Sequence, residues 1–337
     1  MDRLADEEIR SYWDRHHQHR TDDPDFWMAD ADCRRAINRR VTGDTDLWPL
    51  DWFHRTWVER PFRRALSLGC GTGSLERSAR RLGLCESITG VDASEASLAE
   101  ARAHAGEEKL DGISYRAADL NALTLPRAHH DAVLFHQSLH HVRSVEKLLG
   151  RVARTLEPEG LLYLDEWTGP SRSEWTPERL ATAKALFDAL PVAWRLQPAL
   201  KAPIERYDLS ETVRSSAILP AVRRLFEVVE ERPYGGQLVA VLLPQVDASA
   251  MPPLARRELV RSWLALEDEE LGRDSSRSYH TVIVARPRRG ASAALGQASN
   301  FAVRVGLALR YRVPTAIRIV TGRHTSSAAL PPHLRNW

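Results

Sequence analysis

Short apolar runs alternate with segments of helical periodicity through the middle of the chain. Strands are predicted at 64–69, 87–92, 113–120, 131–138 and 160–167, with helices at 74–82, from 94 to about 104, and at 144–156. Strands that alternate with helices of this length predict a doubly wound, mostly parallel α/β sheet. In such a sheet the ligand cleft lies at the carboxyl ends of the strands. The residues in those loops therefore decide what the chain can bind.

The loop after the first predicted strand is unusually rich in glycine and reads Gly69-Cys70-Gly71-Thr72-Gly73. Glycine adopts positive φ easily and has no Cβ to hold a ligand away. The helix that follows presents free backbone N–H groups. A strand–helix turn needs fewer glycines than this, so the loop favours a ligand site.

A carboxylate and a serine narrow the class of ligand. Asp92 ends the second predicted strand, where its carboxylate can accept both hydroxyls of a ribose, which indicates a nucleoside. Dinucleotide sites use G-x-G-x-x-G, and Ser74 stands where that pattern needs its last glycine. A nicotinamide oxidoreductase is therefore disfavoured.

Five ordered motifs between about residues 60 and 170 resemble those of class I S-adenosylmethionine-dependent methyltransferases. They are LSLGCGTG, GVDAS, RAADL, DAVLFHQSLHHV and VARTLEPEGLLYLDEW. The resemblance is closest to enzymes that methylate quinones, sugars and secondary metabolites. It implies S-adenosylmethionine as cofactor and a Rossmann-like, doubly wound seven-stranded sheet whose last strand is antiparallel. Predicted strands at 226–233 and 280–287 would complete that sheet.

The resemblance assigns cofactor-binding roles to particular residues. The loop residues Gly69, Cys70, Gly71 and Gly73 would pass the methionine part of the cofactor, and Asp92 would hold the ribose. Ala93, Asp119 and Leu120 would surround the adenine, and His136 would lie near the methyl group. Tyr12 and Trp13 would belong to a lid helix over 2–19. One position departs from the family, because many members carry an acidic residue where this chain has Ser67.

The chemistry that the resemblance implies needs few protein groups. Methyl transfer from a sulfonium is an in-line displacement, so the protein mainly aligns the reactants. A hydroxyl acceptor also needs a base, and histidine has a suitable pKa. We expect His140 to be that base, followed by His136 and His141, with Glu166 as a further candidate for base or acceptor-orienting group.

A metal site is not expected. His136 and His140 are four residues apart, but no carboxylate stands at a convincing spacing beside them and the segment begins as a strand. The three cysteines form no C-x-x-C pair, which excludes a thiolate zinc site of the usual spacing.

The resemblance, together with the charge distribution, implies an organisation into three regions. These are an N-terminal helical lid (1–60), a methyltransferase domain (61–287) with an α-helical acceptor-pocket insertion (168–225), and a basic tail (288–337). From 287 to 337 there are eight arginines and no acidic residue, so the rest of the chain is mildly acidic. That balance gives no reason to expect nucleic acid binding by the body.

The expected acceptor is a small molecule or a glycan, since aromatic and arginine side chains populate the insertion. A tail that packs on the acidic body or stays unstructured is favoured over one that contacts a membrane surface. The polar N-terminal segment does not resemble a secretory leader, so a cytoplasmic setting is expected. A non-catalytic cofactor-binding scaffold is the main alternative, and it would not need the histidine segment.

Overall fold

The computed structural model describes residues 26–203 and 211–288. The lid helix predicted over 2–19, with Tyr12 and Trp13, and the basic tail beyond residue 288 lie outside the described residues.

Seven strands form one mixed sheet, as the sequence motifs predicted. The strands are β1 (Ala65–Leu68), β2 (Ile88–Asp92), β3 (Ile113–Ala117), β4 (His130–His136), β5 (Leu156–Trp167), β6 (Phe226–Gly235) and β7 (His280–Pro287). Their order is β3-β2-β1-β4-β5-β7-β6. Neighbours among the first five strands are parallel, and β7 is antiparallel to both β5 and β6. This confirms the Rossmann-like methyltransferase fold, including its antiparallel last strand.

Two strand boundaries differ from the sequence-based prediction by three or more residues. β3 ends at Ala117 rather than at residue 120, because Asp119 bonds to Asn121 and turns the chain there. β5 begins at Leu156 rather than at residue 160, since Leu156 already pairs with His130.

Helices cover both faces of the sheet. Within the described residues they are α1 (Ala31–Thr42), α2 (Pro49–Trp57), α3 (Ser74–Arg81), α4 (Glu95–Glu107), α5 (Val145–Thr155), α6 (Pro177–Asp188), α7 (Ile218–Leu225), α8 (Val239–Leu242) and α9 (Pro253–Arg273). None of these is both long and apolar enough to cross a lipid bilayer.

The main core lies between the sheet and helices α5 and α7. Leu68 and Phe135 from the sheet are buried in one cluster with Leu149 of α5 and Val222 of α7. Full burial of each such side chain contributes roughly 1.5–3 kcal/mol. Helix α7 therefore belongs to the core, although it falls within the stretch 168–225 for which an acceptor-pocket insertion was predicted.

Helices α1 and α2, from the predicted lid region, form part of the layer on the sheet. Phe53 of α2 is fully buried and its ring centroid lies 4.8 Å from that of Tyr163. The buried Arg40 guanidinium of α1 donates to Glu267 of α9 at 2.9 Å and to the Tyr234 carbonyl of β6 at 2.9 Å. These two helices are therefore packed elements within the described structure.

Candidate functional site

The loops at the carboxyl ends of β1, β2, β3 and β4 are tied together by hydrogen bonds. The Asp92 carboxylate accepts the N–H of Gly71 at 2.8 Å, which joins β2 to the loop after β1. The Asp92 carbonyl accepts the N–H of Ala118 at 2.8 Å, which joins it to β3. The Ser138 hydroxyl donates to the carbonyl of Leu68 at 2.7 Å, which joins the β1 and β4 ends. The glycine loop, the acidic strand end and the histidine segment thus share one edge of the sheet.

The three loop glycines have positive φ but different surroundings. A Cβ at Gly69 would collide with the Ser138 side chain, and one at Gly73 would collide with the Tyr115 hydroxyl. A Cβ at Gly71 would meet no atom within 4 Å. Packing therefore accounts for two of the glycines, and Gly71 leaves open space above the loop where a ligand can approach the backbone.

Cys70 differs from the glycines on either side of it. A Cβ at Gly90 would lie 3.0 Å from the Cys70 sulfur, so the thiol lies beneath the loop beside β2. Burial, with Glu76 and Asp92 nearby, raises the pKa of the Cys70 thiol far above its usual range. Only the backbone of Cys70 is therefore suited to contact a ligand.

The Asp92 carboxylate is held rigidly at the end of β2. One oxygen accepts the N–H of Gly71 and the other accepts the N–H of Ser94 at 2.9 Å. A carboxylate oxygen has more than one acceptor site, so hydroxyl donors can still bind. Asp92 and the adjoining Ala93 are both partly exposed. The geometry thus suits the predicted ribose contact.

Asp119 has a clear structural role in the loop after β3. One oxygen of its carboxylate accepts both the backbone and the side-chain N–H of Asn121, at 2.8 and 3.1 Å. Asn121 in turn accepts the N–H of Arg143 at 3.0 Å, in the loop that follows the histidine segment. Leu120 is partly buried against the core. The predicted contacts of Asp119 and Leu120 with adenine remain predictions.

Glu166 organises the histidine segment from below. Its side chain is fully buried and accepts the N–H groups of Ser138, Leu139 and Trp167 at 2.9, 2.7 and 3.0 Å. It also accepts a short hydrogen bond from Nδ1 of His140. Burial acts to raise the pKa of Glu166, but the His140 charge and these donors outweigh it and lower that pKa. Glu166 is therefore an ionised anchor, with its oxygens turned inward.

His140 is held between two carboxylates. Nδ1 faces Glu166, and Nε2 lies 3.5 Å from Oε1 of Glu211. Burial opposes the protonated form, yet the charges of Glu166 and Glu211 raise the pKa of His140 to about 9. At neutral pH this imidazole already carries its proton. Because a protonated imidazole has no free nitrogen lone pair, this state disfavours the role of base predicted for His140.

His136 has the opposite character. Its side chain is 45% exposed at the end of β4, and Nε2 lies 3.7 Å from Oδ2 of Asp165. Asp165 is fixed by the Tyr234 hydroxyl, which donates to it at 2.5 Å, and by the Gln137 amide at 3.3 Å. An accessible imidazole with a fixed carboxylate behind it is the arrangement that a general base needs.

His141 and Glu211 complete a cluster that the sequence did not reveal. Nε2 of His141 lies 3.8 Å from Oε2 of Glu211, and candidate ligand atoms of His140, His141 and Glu211 lie within 4.8 Å of one another. Such a set could hold a metal ion, whereas the sequence analysis expected none. The proton on His140 opposes a cation there. Glu211 is seventy residues from the histidines, and no spacing pattern links them.

The central part of the chain is similar to a known protein family. Residues 66–164 match the model of a family described as a methyltransferase domain. The chain is 37% identical over 138 residues to the ubiquinone biosynthesis O-methyltransferase of Bradyrhizobium diazoefficiens, covering 41% of this chain and 47% of that protein. It is 37% identical over 101 residues to the protein of the same name from Bradyrhizobium sp. strain ORS 278, covering 30% and 38%.

The chain spans less than half the length of these two curated relatives. A solved S-adenosylmethionine-dependent methyltransferase from Mesorhizobium loti is 22% identical, with a TM-score of 0.40, covering 67% of this chain and 91% of that one. The family resemblance predicted from the five sequence motifs is confirmed.

Proposed function

We propose that the chain methylates a hydroxyl oxygen of a small-molecule acceptor. The premise is that residues 66–164 are a class I S-adenosylmethionine-dependent methyltransferase domain. Two hydrogen bonds carry this proposal. The Asp92 carboxylate accepts the N–H of Gly71, and the Ser138 hydroxyl donates to the Leu68 carbonyl, which joins the glycine loop to the histidine segment. A nucleoside-binding loop and a candidate base are thereby held at one edge of the sheet.

The residues present fit this cofactor. The open space over Gly71 admits a ligand to the loop backbone, and Asp92 presents a fixed acceptor for the ribose hydroxyls. The loop would hold the methionine moiety, while Ala93, Asp119 and Leu120 would border the adenine. When bound, the cofactor supplies a methyl group that its sulfonium has already activated.

His136 is the proposed base of the reaction. Its imidazole would accept the proton of the acceptor hydroxyl, while Asp165 orients the ring and stabilises the imidazolium that forms. His140, which is already protonated, would instead hold the segment in place through Glu166 and Glu211.

The acceptor is proposed to be a small aromatic hydroxyl compound. Both curated relatives reported above are named for O-methylation in ubiquinone biosynthesis. A glycan acceptor is the alternative. The reaction is proposed to take place in the cytoplasm and without nucleic acid or a divalent metal, and unchanged turnover in EDTA would support the last point.

Binding of S-adenosylhomocysteine to the full chain tests the cofactor assignment. We expect Asp92→Asn to weaken binding roughly tenfold or more in titration calorimetry, because an amide replaces a charged acceptor of ribose hydroxyls. Asp111→Asn, on the exposed turn before β3, is the matched control and should leave the affinity unchanged. Equal affinities in all three proteins would contradict the assigned site.

Turnover with catechol and hydroquinone probes tests the base. We expect His136→Gln to lower kcat about 10²–10⁴-fold. Asp165→Asn, which keeps the imidazole and alters only the group behind it, should lower kcat less. Retention of full kcat by His136→Gln would overturn the base assignment. Binding of S-adenosylhomocysteine without turnover of any hydroxyl acceptor would favour the scaffold alternative.

A further inference from the structure

Glu76 is a buried carboxyl group without a partner directly behind the glycine loop. It lies in the first turn of α3, is fully buried, and neither of its oxygens meets a hydrogen-bond donor within the described residues. A glutamate at this helix position ordinarily reaches back to the N-cap N–H. Here the N-cap is Gly73, with no side-chain capping bond. An unsatisfied buried carboxyl group is costly and calls for an explanation.

The groups that face Glu76 do not neutralise it. Burial raises its pKa to about 7. The Ser67 hydroxyl of β1 and the backbone N–H of Glu76 itself oppose this shift without completing a hydrogen bond, and the Asp92 charge of β2 adds to it. The Cys70 thiol and the Tyr115 hydroxyl of β3 are close enough for Glu76 to raise their pKa values in turn.

Among the described residues, the cation of Arg77 favours the ionised form of Glu76. Its guanidinium, however, donates to the carbonyl of Thr72 at 2.7 Å and to Glu108 at 2.9 Å. Its hydrogen bonds are thus made with other groups, and the described chain leaves the Glu76 carboxyl without a counterion.

A cation on the ligand side of the loop would supply that counterion. The methionine moiety of the cofactor carries an ammonium group. Glu76 is close enough to the Cys70 thiol, beneath the glycine loop, to raise its pKa, while Gly71 of the same loop faces open space. We propose that Glu76 is the buried anionic counterpart of that ammonium group, and that it acts as a positioning residue through the loop. This inference rests on the proposed function.

Binding and ionisation are then coupled. The charged ligand favours ionised Glu76, so binding near neutral pH releases a proton, and affinity rises as the pH passes through the pKa of about 7. A purely structural role of Glu76 in the loop would produce no such proton release.

Two nucleoside probes separate these possibilities in the full chain. S-adenosylhomocysteine carries the ammonium group, and 5′-methylthioadenosine lacks the whole amino-acid end. We expect Glu76→Gln to weaken S-adenosylhomocysteine binding roughly tenfold at pH 8 while changing the affinity for 5′-methylthioadenosine less than about twofold. Calorimetry in two buffers of different ionisation enthalpy should show proton release for wild type with S-adenosylhomocysteine only.

A double variant that moves the carboxylate from position 76 to position 67 provides the matched control. Ser67 faces the same buried space, so Ser67→Asp combined with Glu76→Gln should recover part of the lost S-adenosylhomocysteine affinity. Equal weakening of both probes by Glu76→Gln, or no weakening and no proton release, would overturn the proposal. A wild-type chain that binds neither probe would overturn the proposed function itself, and this inference with it.

Discussion

Two fully buried glutamates stand behind the two halves of the candidate site, and they differ in almost every other respect. Glu166 lies behind the histidine segment and accepts three backbone N–H groups and the His140 imidazole. Glu76 lies behind the glycine loop and accepts none within the described residues. The pKa of Glu166 is lowered, while burial raises that of Glu76 to about 7.

The difference shows that burial alone does not set the state of an acid. At Glu166 the chain itself supplies donors and a cation, so the ionised form is stable without a ligand and the histidine segment is preorganised. At Glu76 the described residues complete no hydrogen bond and no ion pair, so the group is balanced between two states at neutral pH. One half of the site is complete in the free protein, and the other is arranged to respond to what binds.

Replacing Glu166 by glutamine should have the largest effect on stability. The substitution leaves protonated His140 beside Glu211 alone and turns an amide group toward backbone donors. Breaking a buried pair of this kind costs about 3–5 kcal/mol. Urea denaturation at pH 7 should show a lower midpoint with an unchanged slope.

Glu76→Gln at pH 6 is the control for that experiment. It is the same substitution at the same burial, but it replaces a carboxyl group that is largely protonated at this pH. It should therefore lower the free energy of unfolding far less than Glu166→Gln does. Equal losses of unfolding free energy in the two variants would contradict the difference in protonation state between Glu166 and Glu76.

The second expected effect is a difference in how stability depends on pH. The pKa of Glu76 is about 7 in the folded chain against 4.5 for the ordinary group. The unfolded chain therefore loses this proton first, and the free energy of unfolding of wild type falls as the pH rises from about 4.5 through 7. Glu76→Gln removes this fall, so its stability relative to wild type should increase by about 2–3 kcal/mol between pH 5 and pH 8.

Denaturation of both proteins at several pH values measures that increase. The titration of His140 is present in both chains, so it cancels in the comparison. A constant difference between the two proteins across this range would show that Glu76 does not titrate near neutral pH.

Local sequence patterns predicted the sheet and the near-neighbour parts of the site. The apolar runs and the glycine loop identified all seven strands, because hydrophobic period and turn residues are properties of short segments. The same applies to Asp92, which is the last residue of its strand. Ser67 was noticed only as a departure from the family pattern.

The partners of the candidate residues could not be predicted in this way. Glu211 approaches His140 from a distant segment, and Tyr234 fixes Asp165 from β6. These contacts decide which histidine is protonated, and they arise from the packing of elements far apart in sequence. Glu76 follows the motif LSLGCGTG by three residues, but its burial depends on how α3 packs against β2 and β3.

Ser67→Ala should produce the smallest effect and the most specific one. The Ser67 hydroxyl lowers the pKa of Glu76, so its removal should raise that pKa further. The inflection in the pH dependence of stability should move upward by less than about one pH unit. This shift corresponds to a change on the order of 1 kcal/mol in the free energy of unfolding at pH 8. In the Glu76→Gln background the same substitution should leave the pH dependence unchanged. A shift of the inflection that persists in the Glu76→Gln background would assign the titration to another group. It would also show that Ser67 does not act on the Glu76 carboxyl.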